Sequence, residues 1–504
     1  MIFALFIICF KFFVVFSIFL LIYILITQLI YIKLKYYHNS IYKNAKIKTI
    51  SFVHPFCSDC GGGEKVLWRM ISSLISYYET KNIRDHNLPK LKLNIIAGKK
   101  VDKQQLFVML KNRFGIELNK QKYMNREKLV LEVELITMES GYMLRPRNFL
   151  TMLIQILAQI YFALEIITKV YSDVYCDTTG LPFTYFVLKY LGHAKVTAYT
   201  HYPFISTDMI YQVENNKPGM HSRGRLSKNK FVRKIKIVYY NTLLRIYKIM
   251  GNKCLSFAYV NSTWTFNHMQ KIWDGLFEAK KLVILYPPCS ISLYKEAAKN
   301  EDRQNIIVSF AQFRPEKNQQ MQINILARLK KKLNIYPEFE DLELHLIGGV
   351  RNEDDEKIFN GLINYARQLG VEDYVKFLKN GTTEQIAEEF SKAKIGIHTM
   401  IEEHFGITLI EMMAAGLIVV THNSAGAKND ILVTENDMKP GFLVNTENEY
   451  VAQIEEILIR YNEIRGQITN FSTQRAEKFS DEAFQEKFLI KLREFLLEKI
   501  KNII

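Results

Sequence analysis

Two successive series of short β-rich runs, each alternating with helix-length stretches, restrict this sequence to a small set of folds. In the first series, candidate strands fall at 48–53, 91–96, 131–136, 173–176, 195–199 and 257–260. The intervening stretches are mostly long enough for crossover helices, which predicts a parallel α/β sheet. Tyr286-Pro287-Pro288 interrupts the alternation, and a charged, weakly structured stretch to about Asn305 reads as a linker. A second series follows at 306–311, 342–347, 374–377, 394–398 and 418–421, and the tail from about Glu447 reads as helices with charged faces. The resulting expectation is an α/β chain with two doubly wound, Rossmann-like domains, 46–290 and 305–480, facing across a cleft. Residues 481–504 form a C-terminal helix free to return to the first domain.

Ahead of this body, residues 2–32 are almost wholly apolar, broken only by Lys11, Ser17, Thr27 and Gln28. Such a run can cross a hydrocarbon core of roughly 30 Å and exceeds the about 7–15 residues of a signal-peptide core. Lys33, Lys35, Lys43, Lys46 and Lys48 come next. The positive-inside rule places that flank and the body behind it in the cytosol. Residues 1–32 are therefore expected to be an uncleaved transmembrane helix. A second apolar stretch, 149–167, contains Gln155, Gln159 and Glu165. A carboxylate is costly in lipid, so this stretch reads either as a buried helix or as one lying in the membrane interface.

The net charge of +16 suits an anionic membrane surface or a phosphorylated substrate. No zinc-finger or RNA-binding signature accompanies it, so nucleic acid is not an expected partner. Eight Lys or Arg residues between 217 and 236 form either a solvated loop or a basic surface for headgroups or a substrate diphosphate. Six cysteines make no disulfide framework. Cys57 and Cys60 form a C-x-x-C pair that no second pair or nearby His completes into a metal site. A reducing, cytosolic setting fits, and the sequons at Asn261, Asn380 and Asn470 are then incidental.

Candidate chemistry gathers where strands end. The first strand runs into His54-Pro55-Phe56 and then Gly61-Gly62-Gly63-Glu64 before a helix-like stretch. Glycines there make either a plain turn or a place where backbone and a helix N-terminus meet an anion. The strand at 306–311 ends on Gln312-Phe313-Arg314-Pro315-Glu316-Lys317-Asn318, a loop that is solvated or else places Arg314 and Lys317 against a diphosphate. Gly348 and Gly349 end the next strand, and His398 ends another, ahead of Glu403-His404-Phe405-Gly406 and Glu411. Eight positions are about two helical turns, so Glu403 and Glu411 can face one ligand if a helix starts between them. Carboxylates suit sugar and ribose hydroxyls because each accepts several hydrogen bonds.

These motifs resemble those of retaining glycosyltransferases of the two-Rossmann (GT-B) type carrying an E-x7-E motif, here Glu403 and Glu411. The likeness is most specific to the eukaryotic GDP-mannose:lipid-linked oligosaccharide α-1,2-mannosyltransferases of asparagine-linked glycosylation. It extends through Thr200-His201-Tyr202-Pro203, Ile205-Ser206-Thr207-Asp208, His398-Thr399-Met400 and the segment from His422 to Asp430, and covers nearly the whole chain. The resemblance implies a GT-B fold with an N-terminal acceptor domain, a C-terminal donor domain and an N-terminal transmembrane helix in the endoplasmic reticulum membrane. It implies transfer of two α-1,2-linked mannoses from GDP-mannose to a dolichyl-diphosphate-linked Man3GlcNAc2 on the cytosolic face, with other mannosyltransferases of the pathway as further partners. Glu403 and His201 would then serve the transferred mannose. Arg314, Lys317, Glu411, Gly406, Phe405 and Gly348 would bind the donor, with Glu411 on its ribose. Gly61, Gly62, Gly63 and Glu64 would meet a phosphate or the acceptor, and no metal or other cofactor is expected. Two positions depart from the commoner pattern: Ala311-Gln312 stands where many relatives have Gly-Arg, and Ser424-Ala425-Gly426-Ala427 replaces a Gly-Gly-Pro type of loop. A sugar transferase using UDP-glucose, or a non-catalytic membrane scaffold, are the competing readings.

Overall fold

A computed structural model of the chain describes residues 2–41, 47–59, 61–82, 90–117, 131–145, 151–205, 209 and 230–492. Within them the strands form two sheets whose pairings are all parallel. The first contains β1 (Ile47–Val53), β2 (Lys90–Ala97), β3 (Leu131–Thr137), β4 (Val174–Asp177), β5 (Lys195–Thr200), β6 (Leu255–Val260) and β7 (Leu282–Ile284), in the order β3-β2-β1-β4-β5-β6-β7. The second contains β8 (Gln304–Phe310), β9 (Glu343–Gly348), β10 (Val375–Lys379), β11 (Ala393–His398), β12 (Ile418–His422) and β13 (Phe442–Val444), in the order β10-β9-β8-β11-β12-β13. In each sheet the order reverses beside the first strand, between β1 and β4 and between β8 and β11. Such a reversal leaves a crevice at the carboxyl edge.

Helices cover both faces of each sheet, which is why the strands read as near-continuous apolar runs. Val53, Ile96, Ala198 and Val260 pack on Phe162 and Ile166 on one face of the first sheet. Phe52, Ile95 and Phe257 pack on Trp68 and Ile71 on the other. In the second sheet Ile307, Leu346 and Ile397 face Leu326 and Ile454, while Val308, Ile347 and Val419 face Leu409 and Met412.

The structure adds two edge strands that the sequence reading lacks, β7 and β13, each only three residues long. It also corrects the linker. The charged stretch before β8 is ordered as a short turn at Ile291–Leu293 and a helix at Lys295–Ala298. Arg303 explains the order: buried, it donates to the carbonyls of Ala297 (2.8 Å), Ala393 (2.6 Å) and Ala415 (2.7 Å). After the second sheet, the Asp481–Leu492 helix lies on the first domain, with Phe484 and Phe488 in the core beside Trp68 and Ile71.

Residues Ile2–Ile41 form one helix. In its latter half Tyr31 and Thr27 are buried, and Gln28 Nε2 donates to Leu191 O at 3.0 Å, whereas Leu21, Leu25, Leu29 and Ile32 are exposed. Among the described residues, Met152–Lys169 is a helix long and apolar enough to cross a membrane. Its Ala158, Phe162, Ala163 and Ile166 sit in the core, while Leu153, Leu157 and Tyr161 face outward. Glu165 is satisfied locally, accepting from the backbone N–H groups of Glu139 and Ser140 at 2.9 Å each and from Lys169 Nζ at 2.7 Å. Of the basic run, 230–236 opens the Lys230–Cys254 helix. Residues 217–229, Cys60, Ser206-Thr207-Asp208 and 493–504 lie outside the described residues.

Candidate active site

The carboxyl ends of β1 and β5 in the first domain face those of β8 and β11 in the second. After β1, the backbone bends through His54 into the three glycines, and the Gly62–Asn82 helix begins. Glu64 ties this turn together, accepting from Gly61 N at 2.6 Å and sharing a 3.2 Å hydrogen bond with His54 Nε2. Burial opposes its ionisation, but the hydrogen bonds from His54 and Gly61 outweigh burial and hold its carboxyl below the ordinary range. Glu64 thus shapes the loop. Gly62 and Gly63 leave the space: a Cβ on Gly63 would stand 3.3 Å from His201 Nε2, and one on Gly62 would stand 3.3 Å from Ile407 of the other domain.

His201 follows β5. Its Nε2 is buried and has no hydrogen-bond partner among the described residues. Burial, helped by repulsion from His54, pushes its pKa down to about 4, so the ring is neutral near pH 7. An unsatisfied buried nitrogen at the edge of a cleft marks a place where a ligand can complete the hydrogen bonding.

On the opposite wall, the 3₁₀ turn Pro315–Lys317 after β8 directs Lys317 inward. Lys317 Nζ lies 2.5 Å from Glu403 Oε2, and His398 Nε2 lies 3.1 Å from the same oxygen. Burial disfavours the charged carboxylate, but Lys317 and His398 overcome it and hold Glu403 well below the usual range. Its loop is fixed by Gly426 N donating to Glu403 O at 2.9 Å and by Glu402 N donating to Ser424 Oγ at 2.9 Å. The Ser424-Ala425-Gly426 segment therefore clamps the motif from below. Gly406 then starts the Ile407–Ala414 helix at φ 108°, a left-handed conformation that only glycine adopts without strain. The start of this helix between the two acids brings Glu411, buried, into the cleft wall.

Lys317 and His398 thus both engage Glu403, with His201 and the glycine loop on the facing domain. Three expected site residues stand elsewhere. Arg314 is at the rim, 3.7 Å from Glu316 and 4.0 Å from Asp355. The Phe405 ring is buried, stacked on Tyr286 at 5.5 Å, which leaves only its backbone for a ligand. Gly348 allows a tight backbone crossing, since a Cβ there would come within 2.0 Å of Ala311 O.

Several residues at this interface had no assigned role from sequence. Lys65 Nζ lies 3.3 Å from Glu411 Oε1 across the cleft. His404 stacks on Tyr202 at 4.5 Å and on Trp264 at 4.8 Å, both from the first domain. Asp430 accepts from Thr263 Oγ1 at 2.5 Å and from Tyr286 OH at 2.9 Å. Lys65 directly follows the Gly61–Glu64 motif and Tyr202 lies inside another, but their pairing partners are hundreds of residues away, which no local pattern reveals. Among the described residues no three His, Cys, Asp or Glu side chains converge as metal ligands.

Comparison with known proteins gives a consistent picture. Residues 47–273 match the family described as "ALG11 mannosyltransferase N-terminus", and residues 291–475 match "Glycosyl transferases group 1". The GDP-Man:Man(3)GlcNAc(2)-PP-Dol α-1,2-mannosyltransferase of Homo sapiens is 35% identical over 456 residues, covering 89% of this chain and 87% of that protein. The protein of the same description from Dictyostelium discoideum is 35% identical over 461 residues, covering 90% of this chain and 86% of that one. Among solved structures, the sucrose-phosphate synthase of Thermosynechococcus elongatus superposes with a TM-score of 0.60 at 14% identity, covering 90% of this chain and all of that one. Anabaena HepE in complex with UDP and glucose superposes with a TM-score of 0.55 at 16% identity, covering 89% of this chain and 100% of that chain. At that identity these two share the GT-B fold alone.

Proposed function

The chain belongs to the family of GDP-Man:Man(3)GlcNAc(2)-PP-Dol α-1,2-mannosyltransferases, and from that premise we propose how its cleft performs the transfer. It is a GT-B glycosyltransferase that moves mannose from GDP-mannose to dolichyl-diphosphate-linked Man3GlcNAc2, forming an α-1,2 linkage in N-glycan precursor synthesis. In our reading it adds two such mannoses, to Man5GlcNAc2.

One observation carries the assignment of roles: the Lys317–Glu403–His398 cluster at the carboxyl ends of β8 and β11, facing His201 and the glycine loop. Glu403, kept ionised by its two partners, accepts hydrogen bonds from mannose hydroxyls. Lys317, already aimed into the cleft, neutralises the diphosphate as the bond to mannose breaks, and Arg314 at the rim closes on its outer oxygens. Positive charge placed in advance where negative charge develops is an effective catalytic device, worth about a hundredfold or more per group. In this reading it does the work without a metal. Glu411 takes the ribose hydroxyls. The glycines let the acceptor's backbone-facing groups approach, and neutral His201 hydrogen-bonds the mannose at the transfer point. The acceptor hydroxyl attacks the anomeric carbon on the face from which GDP leaves, the bond to the diphosphate breaking as the hydroxyl proton passes to the departing diphosphate oxygen, so the α configuration is retained.

We further propose that the enzyme is anchored in the endoplasmic reticulum membrane by its N-terminal helix, with the body on the cytosolic side. The exposed Leu21, Leu25 and Leu29 beside outward-facing Leu153, Leu157 and Tyr161 support a lipid-facing surface on the first domain. The test is incubation of the full chain with GDP-mannose and Man3GlcNAc2 on a dolichyl-type diphosphate, with products counted by mass spectrometry. Two mannoses removable by an α-1,2-mannosidase are expected. Transfer from UDP-glucose in place of GDP-mannose would overturn the donor assignment, and a product one mannose larger at completion would overturn the count.

A further inference from the structure

Glu411 reaches its partner from the opposite domain. Lys65 stands in the first turn of the Gly62–Asn82 helix, directly after the glycines, and is only 6% exposed. Its Nζ lies 3.3 Å from Glu411 Oε1, joining positions 346 residues apart across the cleft. Among the described residues Oε1 is thereby engaged, while Oε2 has no hydrogen-bond partner. A buried carboxylate with one oxygen held and the other open is an incomplete acceptor site.

We propose that Lys65 is a positioning residue for the donor's ribose: by holding Glu411 Oε1 from the acceptor domain, it keeps Oε2 turned to the ribose hydroxyls and makes donor capture depend on domain closure. This inference rests on the reading of Glu411 as the ribose residue. The groups that face this carboxylate explain why a cation is needed. Besides Lys65, they are Asp481 of the Asp481–Leu492 helix and, from the segment joining the domains, Cys289 and Tyr294. Burial raises the pKa of Glu411 and Asp481 raises it further; Lys65 alone pulls it back. Without the lysine the acid takes up a proton as pH falls, and a protonated carboxyl has lost acceptor capacity for a diol. A lysine that served only as a staple between domains would leave ribose recognition untouched.

The test is calorimetric titration of the full chain with GDP and with 2′,3′-dideoxy-GDP between pH 6 and pH 8. Wild type is expected to prefer GDP at every pH, and Glu411→Ala to erase that preference. Lys65→Met is expected to weaken the preference by roughly tenfold, in line with the loss of a charge-assisted hydrogen bond, and more so as pH falls. Lys65→Arg, which keeps the cation, should restore most of it. Lys65→Gln serves as the uncharged variant should Lys65→Met not fold, with circular dichroism as the check. If Glu411→Ala still prefers GDP, the ribose reading itself fails. If Glu411→Ala loses the preference while the uncharged Lys65 variants keep it at all pH values, the ribose reading stands and the role of Lys65 is overturned.

Discussion

Glu403 and Glu411 stand eight positions apart in one motif, yet their surroundings drive their carboxyls in opposite directions. Burial favours the neutral acid at both. At Glu403, Lys317 at 2.5 Å and His398 at 3.1 Å share one oxygen and reverse that preference. At Glu411, burial and the field of Asp481 outweigh one lysine at 3.3 Å, and the pKa is raised above the ordinary carboxyl value. Glu403 draws its partners from its own domain, so its charge is fixed however the domains stand. Glu411 borrows its partner from the other domain, so its charge depends on closure. In the proposed roles, the first acid is a permanent anion for the reacting sugar and the second a conditional acceptor for the donor's ribose.

The largest effect that can break this contrast is on turnover. Glu403→Ala removes the anion proposed to meet the mannose and leaves Lys317 without its partner. A loss of roughly a hundredfold or more in kcat is expected, with KM for GDP-mannose little changed and the circular dichroism spectrum preserved. Undiminished turnover would remove Glu403 from the reacting centre. A smaller effect should follow Glu411→Gln, which keeps the shape and loses the charge. There KM for GDP-mannose should rise by about tenfold with a lesser fall in kcat, as for lost ground-state binding. Equal kcat losses in both variants would collapse the distinction between a sugar residue and a ribose residue.

Much of this architecture was legible in the sequence, and the remainder has physical reasons for being hidden. The longer strands announced themselves because burial on both faces demands continuous apolar runs, as in Ile-Ile-Val-Ser-Phe of β8. β7 and β13 did not, because three residues at a sheet edge carry too little pattern. The charged stretch before β8 looked like linker because Arg303 reads as a solvated residue until its carbonyl partners, more than 85 residues away in three cases, fold around it. The E-x7-E pair was visible from spacing. What distinguishes its two members was not, because Lys317, His398 and Lys65 are brought to them by tertiary structure. Phe405 and Gly348 sit in the right motif, but their side-chain positions serve packing and backbone crossing rather than open contact.

The smallest expected effect is on stability, and it tests the contrast without substrate. Glu403 has a lowered folded-state pKa, so it contributes stability above the unfolded carboxyl range near 4.3, and that contribution disappears as pH falls through the folded value. Glu411 has a raised pKa, so its contribution is full below the unfolded value and is lost as pH rises through the folded one. At neutral pH, Glu403→Gln should therefore lower Tm, by about 2–4 °C for each kcal/mol in domains of this size, because Lys317 and His398 are left facing a neutral amide. Glu411→Gln should cost less, and its Tm relative to wild type should climb as pH rises through the folded value, whereas the deficit of Glu403→Gln should hold at every pH above the unfolded carboxyl range. Melting curves of the three proteins at a series of pH values provide the check. Parallel pH dependence in the two variants would mean that the acids share one electrostatic environment, and the division between a permanent and a conditional anion would be lost.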